Sequence, residues 1–396
     1  MNWIREPLSD ICDTTSGGTP SRKAQEYYQN GTIPWVKSGE LENNIILDTE
    51  EYITEEALAN SSAKIFPAGT LLIALYGATI GKLAFLGIPA ATNQAVCAIF
   101  ENKKVSLKYL YYYLLFKRSD LVKQGIGGAQ PNISQAILKK LIIPYPVSIS
   151  DQERIVSRIE ELFSELDAGV ETLRKTKQQL AVYRQAVIEN AVLSANDGDI
   201  ESEPFEKYIV SYQNGIAKRK GEGVLTPVIR LADIDNQRIA DGNDFRTIGL
   251  SESERKKYLL DTGDILIIRV NGSEENVGRA IIVERQGKYA ACDHFIRCVL
   301  DKRQIIPEFA QIVLNSFSSR THIKKFMVST AGQNTVSQGT MSSIKIRVPS
   351  IEKQEAIVSS VQERLSLCES IEKTVNKALQ QSLAMRQSIL KQALND

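Results

Sequence analysis

The sequence predicts an α+β fold: two similar globular α/β domains at opposite ends of two long antiparallel helices, a coiled coil with a pseudo-twofold that comes from internal duplication. Three observations predict it. Residues 151–194 form a 44-residue stretch with no proline and one glycine, Gly169. A copy of that stretch follows at a constant offset of 202: Asp151-Gln-Glu-Arg-Ile-Val matches Lys353-Gln-Glu-Ala-Ile-Val, and Tyr183-Arg-Gln-Ala-Val-Ile matches Met385-Arg-Gln-Ser-Ile-Leu. The segments before the two stretches also share a framework of glycines, prolines and apolar runs. A period near 200 marks a duplicated domain pair, since solenoid repeats run at 20–50 residues.

In the central stretch the apolar residues Ile155, Ile159, Leu162, Leu166, Val170, Leu173, Leu180, Val187 and Ala191 trace one narrow helical seam. At 1.5 Å per residue the helix would be about 66 Å long. That exceeds a small domain, so the seam needs a partner helix, and residues 351–394 supply one. A twofold between two such copies makes them antiparallel.

In chain order the expected parts are a first head (1–150), a central helix (151–196), a second head (197–349) and a C-terminal helix (350–396). In the first head Ser16-Gly-Gly-Thr-Pro-Ser-Arg-Lys23 reads as a stiffened loop and Ile33-Pro-Trp-Val-Lys37 as a short strand. Residues 71–76, 83–86 and 95–100 read as buried strands. Residues 107–124 have helical spacing, with tyrosines at 109 and 111–113 expected in packing, and the glycines at 125–128 stop the helix. Gln130-Pro-Asn-Ile-Ser134, a short helix-like piece and a strand at 141–146 complete it. After a polar linker at 196–204 the pattern replays. Pro67-Ala-Gly-Thr-Leu corresponds to Asp261-Thr-Gly-Asp-Ile, Gly81-Lys-Leu-Ala to Gly278-Arg-Ala-Ile, and Gln130-Pro-Asn-Ile-Ser-Gln to Gln333-Asn-Thr-Val-Ser-Gln.

The 396 residues are too many for one core, and 43 % hydrophobic with 24 % charged is ordinary for a soluble protein. The net charge of +1 hides an uneven distribution: residues 151–204 carry net −6 and residues 205–345 net +5. A polyanion partner therefore suits the second head, and the acidic central helix is expected to face protein rather than phosphates. Five cysteines without a CxxC pair, and no signal-peptide pattern, lead us to expect a reduced, cytoplasmic setting. Residues 71–91 are largely apolar, but Lys82, Gly77, Gly81, Gly87 and Pro89 break the run, so strand, turn and strand are expected and not a membrane span.

Catalytic constellations are missing. Gly77-Ala-Thr-Ile-Gly-Lys82 has three residues between its glycines where a phosphate-binding loop needs four, and Leu83 stands where Ser or Thr would hold magnesium. The two histidines, His294 and His322, sit in no Cys/His cluster of metal-site spacing, so no metal is expected. An Asn-Pro-Pro-Phe/Tyr methyltransferase signature is absent, as is a cofactor-binding glycine motif. The residues alone describe a two-headed, non-catalytic binding protein.

Two heads held a fixed distance apart suit a long ligand with two sites, and duplex DNA is one. Lys and Arg clusters contact phosphates, whereas Arg, Asn, Gln, Asp and Ser/Thr read base edges. The candidates in the first head are Ser21, Arg22, Lys23, Lys37, Ser38, Thr79, Lys82, Asn93 and Gln94. Those in the second are Lys218, Arg219, Lys220, Arg269, Asn271, Asn276, Arg279, Asp293 and His294.

The chain resembles the specificity subunits of type I restriction–modification enzymes, over nearly its whole length. The resemblance rests on the duplicated order of variable head and repeated helix. It rests also on Gly17-Gly-Thr-Pro-Ser21, Ile33-Pro-Trp-Val36, Pro67-Ala-Gly-Thr-Leu71, Gln130-Pro-Asn-Ile-Ser134, Asp151-Gln-Glu-Arg-Ile155 and Tyr183-Arg-Gln185. It implies that each head is a target-recognition domain reading one half of a split duplex DNA sequence. It implies that the helices set the spacer and bind two methyltransferase subunits, with restriction subunits joining the complex. S-adenosylmethionine and ATP would then bind on those partners, leaving no cofactor here. The second head departs from the pattern at Asn214-Gly-Ile-Ala-Lys-Arg-Lys220, so that loop is expected to sit differently. Gly169 and Thr176, with Arg364 and Ser382 in the copy, interrupt the helical seam, where methyltransferase subunits or head residues are expected to pack. A coiled-coil scaffold whose heads bind proteins is the competing expectation.

Overall fold

The computed structural model describes every residue except Met1, 126–131, 196–199, 236–237, 241–244, 285–288 and Asp396. The glycines at 127 and 128, the first two residues of the Gln130 motif and residues 196–199 of the linker lie outside the described residues. The chain divides into two compact units, Met1–Leu173 with Lys377–Asp396, and Arg174–Asn376.

The first unit is built on a five-stranded sheet. Its order is Thr14–Ser16, Val96–Ile99, Leu71–Ala74, Leu83–Leu86 and Asn44–Ile46, with only the last pair parallel. Leu71–Ala74 is buried at all four positions, which explains its unbroken apolar run. Alternate residues serve opposite faces. Leu71 and Ile73 join the core beneath the helix Leu107–Lys123, whereas Leu72 and Ala74 pack with Ala84, Val96 and Ala98 on the other side. The tyrosines of that helix are packing residues, as expected. Tyr109 Oη donates to the Pro144 carbonyl at 2.8 Å and Tyr113 Oη to that of Ile142 at 2.9 Å. A smaller sheet runs Tyr52–Ile53, Ile33–Val36, Ala90–Thr92, Ile65–Phe66. The apolar stretch 71–91 is thus three strands joined by turns. No helix among the described residues is long and apolar enough to cross a membrane.

The second unit repeats this frame. Its sheet runs Ile209–Asn214, Phe295–Leu300, Ile265–Ile268, Ala280–Ile282, beside a three-stranded sheet of Arg246–Leu250, Val224–Ile229 and Ala290–Ala291. Ile265–Ile268 is again buried throughout.

The two long helices span Ile149–Ser194 and Ile351–Asn395. Each unit contains part of both. In the first unit Ile155, Ile159 and Phe163 share a core with Leu390 and Leu394, and Arg386 pairs with Asp167 while lying 4.7 Å from the Phe163 ring. In the second, Val187 and Ala191 share a core with Ile357 and Val361, and Arg184 meets Glu372 at 2.8 Å. In both units numbers rise along one helix as they fall along the other, so the pairs are antiparallel. Of the seam interruptions, Gly169 and Arg364 are exposed and Thr176 is half-buried. Ser382 is buried and donates to the Leu379 carbonyl at 2.7 Å, which removes the cost of its hydroxyl.

Candidate nucleic-acid interface

Strand register decides which loops meet. In the first unit Leu71–Ala74 ends where Val96–Ile99 begins, and Thr14–Ser16 ends beside it. The loops leaving these ends are joined by backbone hydrogen bonds. Gly18 N donates to Thr92 O at 2.9 Å, Asn93 N to Val36 O at 2.9 Å, Leu75 N to Ala95 O at 2.8 Å and Ile133 N to Leu75 O at 2.9 Å. A bridge between Tyr76 and Asn132 adds a fifth link, and Thr19 Oγ1 bonds Gln94 Oε1. The polar turn Thr92-Asn93-Gln94 therefore sits at the centre of a loop cluster. Asn93 spends its Oδ1 on Ala95 N at 3.1 Å, while Gln94 is exposed.

The second unit assembles the same cluster from different side chains. Cys292 N donates to Ile229 O at 3.0 Å, Arg269 N to His294 O at 2.7 Å and Val336 N to Arg269 O at 2.9 Å. Val270–Asn271 pairs with Gln333–Thr335, as Tyr76 bridges Asn132. Cys292-Asp293-His294 thus occupies the place of Asn93-Gln94-Ala95, and Arg269 the place of buried Leu75. Arg269 Nη1 donates to Asp293 O at 3.4 Å, and Asn271 Oδ1 accepts from Ser273 N at 2.8 Å.

Beside each cluster lies a tight turn. Gly81 N donates to Ala74 O at 2.8 Å and Ala74 N to Lys82 O at 2.9 Å. Gly278 N donates to Ile268 O at 2.7 Å and Ile268 N to Arg279 O at 3.0 Å. Thr79 and Lys82 in one head thus match Asn276 and Arg279 in the other. Thr79 Oγ1 donates to Tyr76 O at 2.7 Å, and Arg279 Nε to Glu275 O at 2.6 Å. The Lys82 ammonium is 3.9 Å from Glu42.

Of the remaining basic candidates, Arg22, Lys37 and Lys218 pair with carboxylates of the protein. Arg22 pairs with Glu51 at 2.5 Å and lies 4.5 Å from the Tyr28 ring and 4.9 Å from that of Trp35. Lys37 reaches Glu50 at 2.7 Å and Glu51 at 3.0 Å. The Arg22 hydrogen bond, aided by Lys37, holds the Glu51 carboxyl below its ordinary range. Lys218 meets Glu254 at 2.5 Å, and the Arg219 carbonyl accepts from Arg246. Ser21, Lys23 and Lys220 are exposed, and Ser38 is half-buried in a short turn. The loop after residue 214, expected to sit differently, starts in the same place as its counterpart: Gly215 N donates to Phe295 O at 3.0 Å and Ile216 N to Ala291 O at 2.8 Å, as Gly17 N does to Val96 O at 3.1 Å and Gly18 N to Thr92 O at 2.9 Å. The second head adds a hydrogen bond from Asp293 N to Ile216 O at 3.1 Å.

Spacing in the sequence missed two features. Asn132 and Asn334 join the clusters from the Gln130 and Gln333 motifs, which served only as markers of duplication. The two asparagines hold different positions of the repeat, Asn132 matching Thr335 and Asn334 standing one residue earlier. His294 also has closer company than spacing suggested: Cys292 Sγ, Asp293 Oδ1 and His294 Nδ1 lie within 4.8 Å of one another. Three donors fall short of the four ligands of a structural zinc site.

A duplicated frame that presents one polar loop cluster per head, each with its own side chains, defines a class: a recognition protein with two separately tuned readers. The chain belongs to the type I restriction modification DNA specificity family, whose domain matches residues 2–180 and 207–381. It is a specificity subunit of that kind. It is 31 % identical over 410 residues to the StySPI specificity subunit of Salmonella potsdam, covering 99 % of this chain and 88 % of the relative. To the EcoKI specificity subunit of Escherichia coli K12 it is 27 % identical over 413 residues, with the same coverage of 99 % and 88 %. A solved structure from work on complex assembly and conformational transition of the type I R-M system superposes with a TM-score of 0.76 at 14 % identity, covering 99 % of this chain and 97 % of that one, which supports the fold.

Proposed function

We propose that this subunit reads a bipartite duplex DNA target, one half-site per head, and brings methyltransferase and restriction subunits to it. The observation that carries the reading is the shared frame with different contents: Asn93-Gln94-Ala95 in one head, Cys292-Asp293-His294 in the other, on equivalent backbone hydrogen bonds. One scaffold with two sets of donors and acceptors suits two different short sequences. The chain has no active site of its own in this reading. S-adenosylmethionine and ATP bind on the partner subunits, and the complex works in the cytoplasm. Two methyltransferase subunits pack along the long helices. Tyr183 and Met385, 202 residues apart, are 47 % and 53 % exposed there, next to exposed Val182 and Leu383.

Selection from random duplexes by the subunit with its methyltransferase tests this. The expected product is two short motifs separated by an unspecified spacer of fixed length. Selection of one uninterrupted motif overturns it, and salt-insensitive binding would return the scaffold reading, because phosphate contacts weaken steeply with salt.

A further inference from the structure

We infer that Arg118 and Arg320 are positioning residues for base recognition, Arg118 holding by one backbone carbonyl the tight turn that carries Thr79 and Lys82 in the first head, and Arg320 holding by three the turn that carries Asn276 and Arg279 in the second. The inference rests on the proposed role of those turns in reading DNA.

The two arginines lie 202 residues apart, on the helices Leu107–Lys123 and Phe317–Phe326. Among the described residues neither guanidinium spends its hydrogen bonds on a carboxylate. Arg118 Nε donates to Ile80 O at 3.2 Å. Arg320 donates to Val277 O through Nη1, and through Nη2 to Glu274 O at 3.1 Å and Glu275 O at 3.2 Å. Ile80 and Val277 are equivalent, each preceding the glycine of its turn.

Those glycines show how closely the turn is pressed onto the arginine. Gly81 has φ +71° and Gly278 φ +76°, a region that side chains disfavour. A Cβ on Gly81 would come within 2.8 Å of Arg118 Cγ. One on Gly278 would come within 2.7 Å of Ile323 and 3.3 Å of Arg320 Nη1. A guanidinium suits this task because its donors are fixed in a plane and its charge does not titrate. Lysine offers a single ammonium on a flexible stem and cannot hold several carbonyls in register. Burial of Arg320 lowers the pKa of its guanidinium from the ordinary value, with Arg279 adding to the effect. The side chain is thus partly withdrawn from solvent and acts through the turn rather than on DNA.

Base discrimination depends on holding donors and acceptors against base edges, whereas phosphate contacts tolerate looseness. Loosening the grip should therefore lower discrimination without abolishing DNA binding. The test uses the full chain assembled with its methyltransferase subunits, on the target defined by duplex selection. Methylation rates are compared for the target and for duplexes with one base changed in either half-site, using Arg320→Met and the milder Arg320→Lys. The expected result is a loss of discrimination of about ten-fold in one half-site only, with an unchanged slope of binding against salt and unchanged melting for Arg320→Lys. Arg118→Met, which removes the one hydrogen bond to Ile80 O, should lower discrimination in the other half-site. Equal losses at both half-sites, or undiminished discrimination in a folded variant, overturn the inference. The double variant Asn276→Ala with Arg279→Ala separates the layers. If it alters one half-site and the Arg320 variants do not, the positioning role fails. If it alters neither half-site, the turn does not read DNA and the reading beneath the inference fails.

Discussion

Gln152 and Gln354, 202 residues apart in the chain, make the same three hydrogen bonds from fully buried positions. Gln152 Nε2 donates to Pro146 O at 2.8 Å and Lys104 O at 2.9 Å, while its Oε1 accepts from Ser106 N at 2.8 Å. Gln354 does likewise with Pro349 O at 2.8 Å, Gln304 O at 2.9 Å and Ile306 N at 2.9 Å. Each glutamine fastens the first turn of a long helix to its own head.

Removing either side chain strands a buried backbone N–H and two carbonyls. Gln152→Ala and Gln354→Ala should each cost about 2–4 kcal/mol, since an unsatisfied buried group costs roughly 1–3 kcal/mol and water satisfies part of the loss. Denaturant unfolding measures it. A change below about 0.5 kcal/mol would mean the helix is held to the head by its apolar residues alone.

Arg269 stands where the first head has buried Leu75, and its side chain lies over the Asp293 turn. Arg269→Ala should cost about 1–3 kcal/mol on the target and relax one half-site only. Titrations against the target and single-base variants decide this. A loss equal on all DNA would make Arg269 a phosphate contact.

The Arg22–Glu51–Lys37 network should give the first head an acid-sensitive component. The Glu51 carboxyl is pulled below its ordinary value of 4.5, chiefly by Arg22. Its stabilisation is therefore fully present above that value and is lost as pH falls through the lower folded value. The gap in melting temperature between the native protein and Glu51→Gln should be open at pH 7 and narrow steadily below about pH 4.5. A gap independent of pH would show that the pair contributes nothing to stability.

The long helices are the ruler in this account. Inserting one or two whole turns after Leu180 should lengthen the unspecified spacer and leave both half-site motifs unchanged. Duplex selection with the insertion variant reads this, and altered half-site motifs would show that the helices do not set the spacing.

The sequence carried the frame well and the site unevenly, for physical reasons. Helical periodicity without proline marked residues 151–194, and the helix extends two residues earlier, to Ile149, because Ser148 can begin it. The buried strands were legible as apolar runs flanked by glycines. The loop clusters were harder. Strand register brings Gln94 to Thr19 in the first head and Arg269 to Asp293 and His294 in the second, which spacing along the chain does not encode. Arg22, Lys37 and Lys218 had the right chemistry for phosphate but meet carboxylates that lie 13 to 36 residues away. Arg118 and Arg320 were invisible as site residues because they act on carbonyls, and any sequence supplies carbonyls.

The central claim is that two heads read two independent half-sites. Genome-wide mapping of methylated bases tests it most directly, in cells carrying this subunit with its methyltransferase, natural or with Asp293→Ala and His294→Ala. The account predicts a two-part motif with a fixed gap, and a relaxed sequence in one part alone for the variant. A single continuous motif, or a variant that changes both parts together, would contradict it.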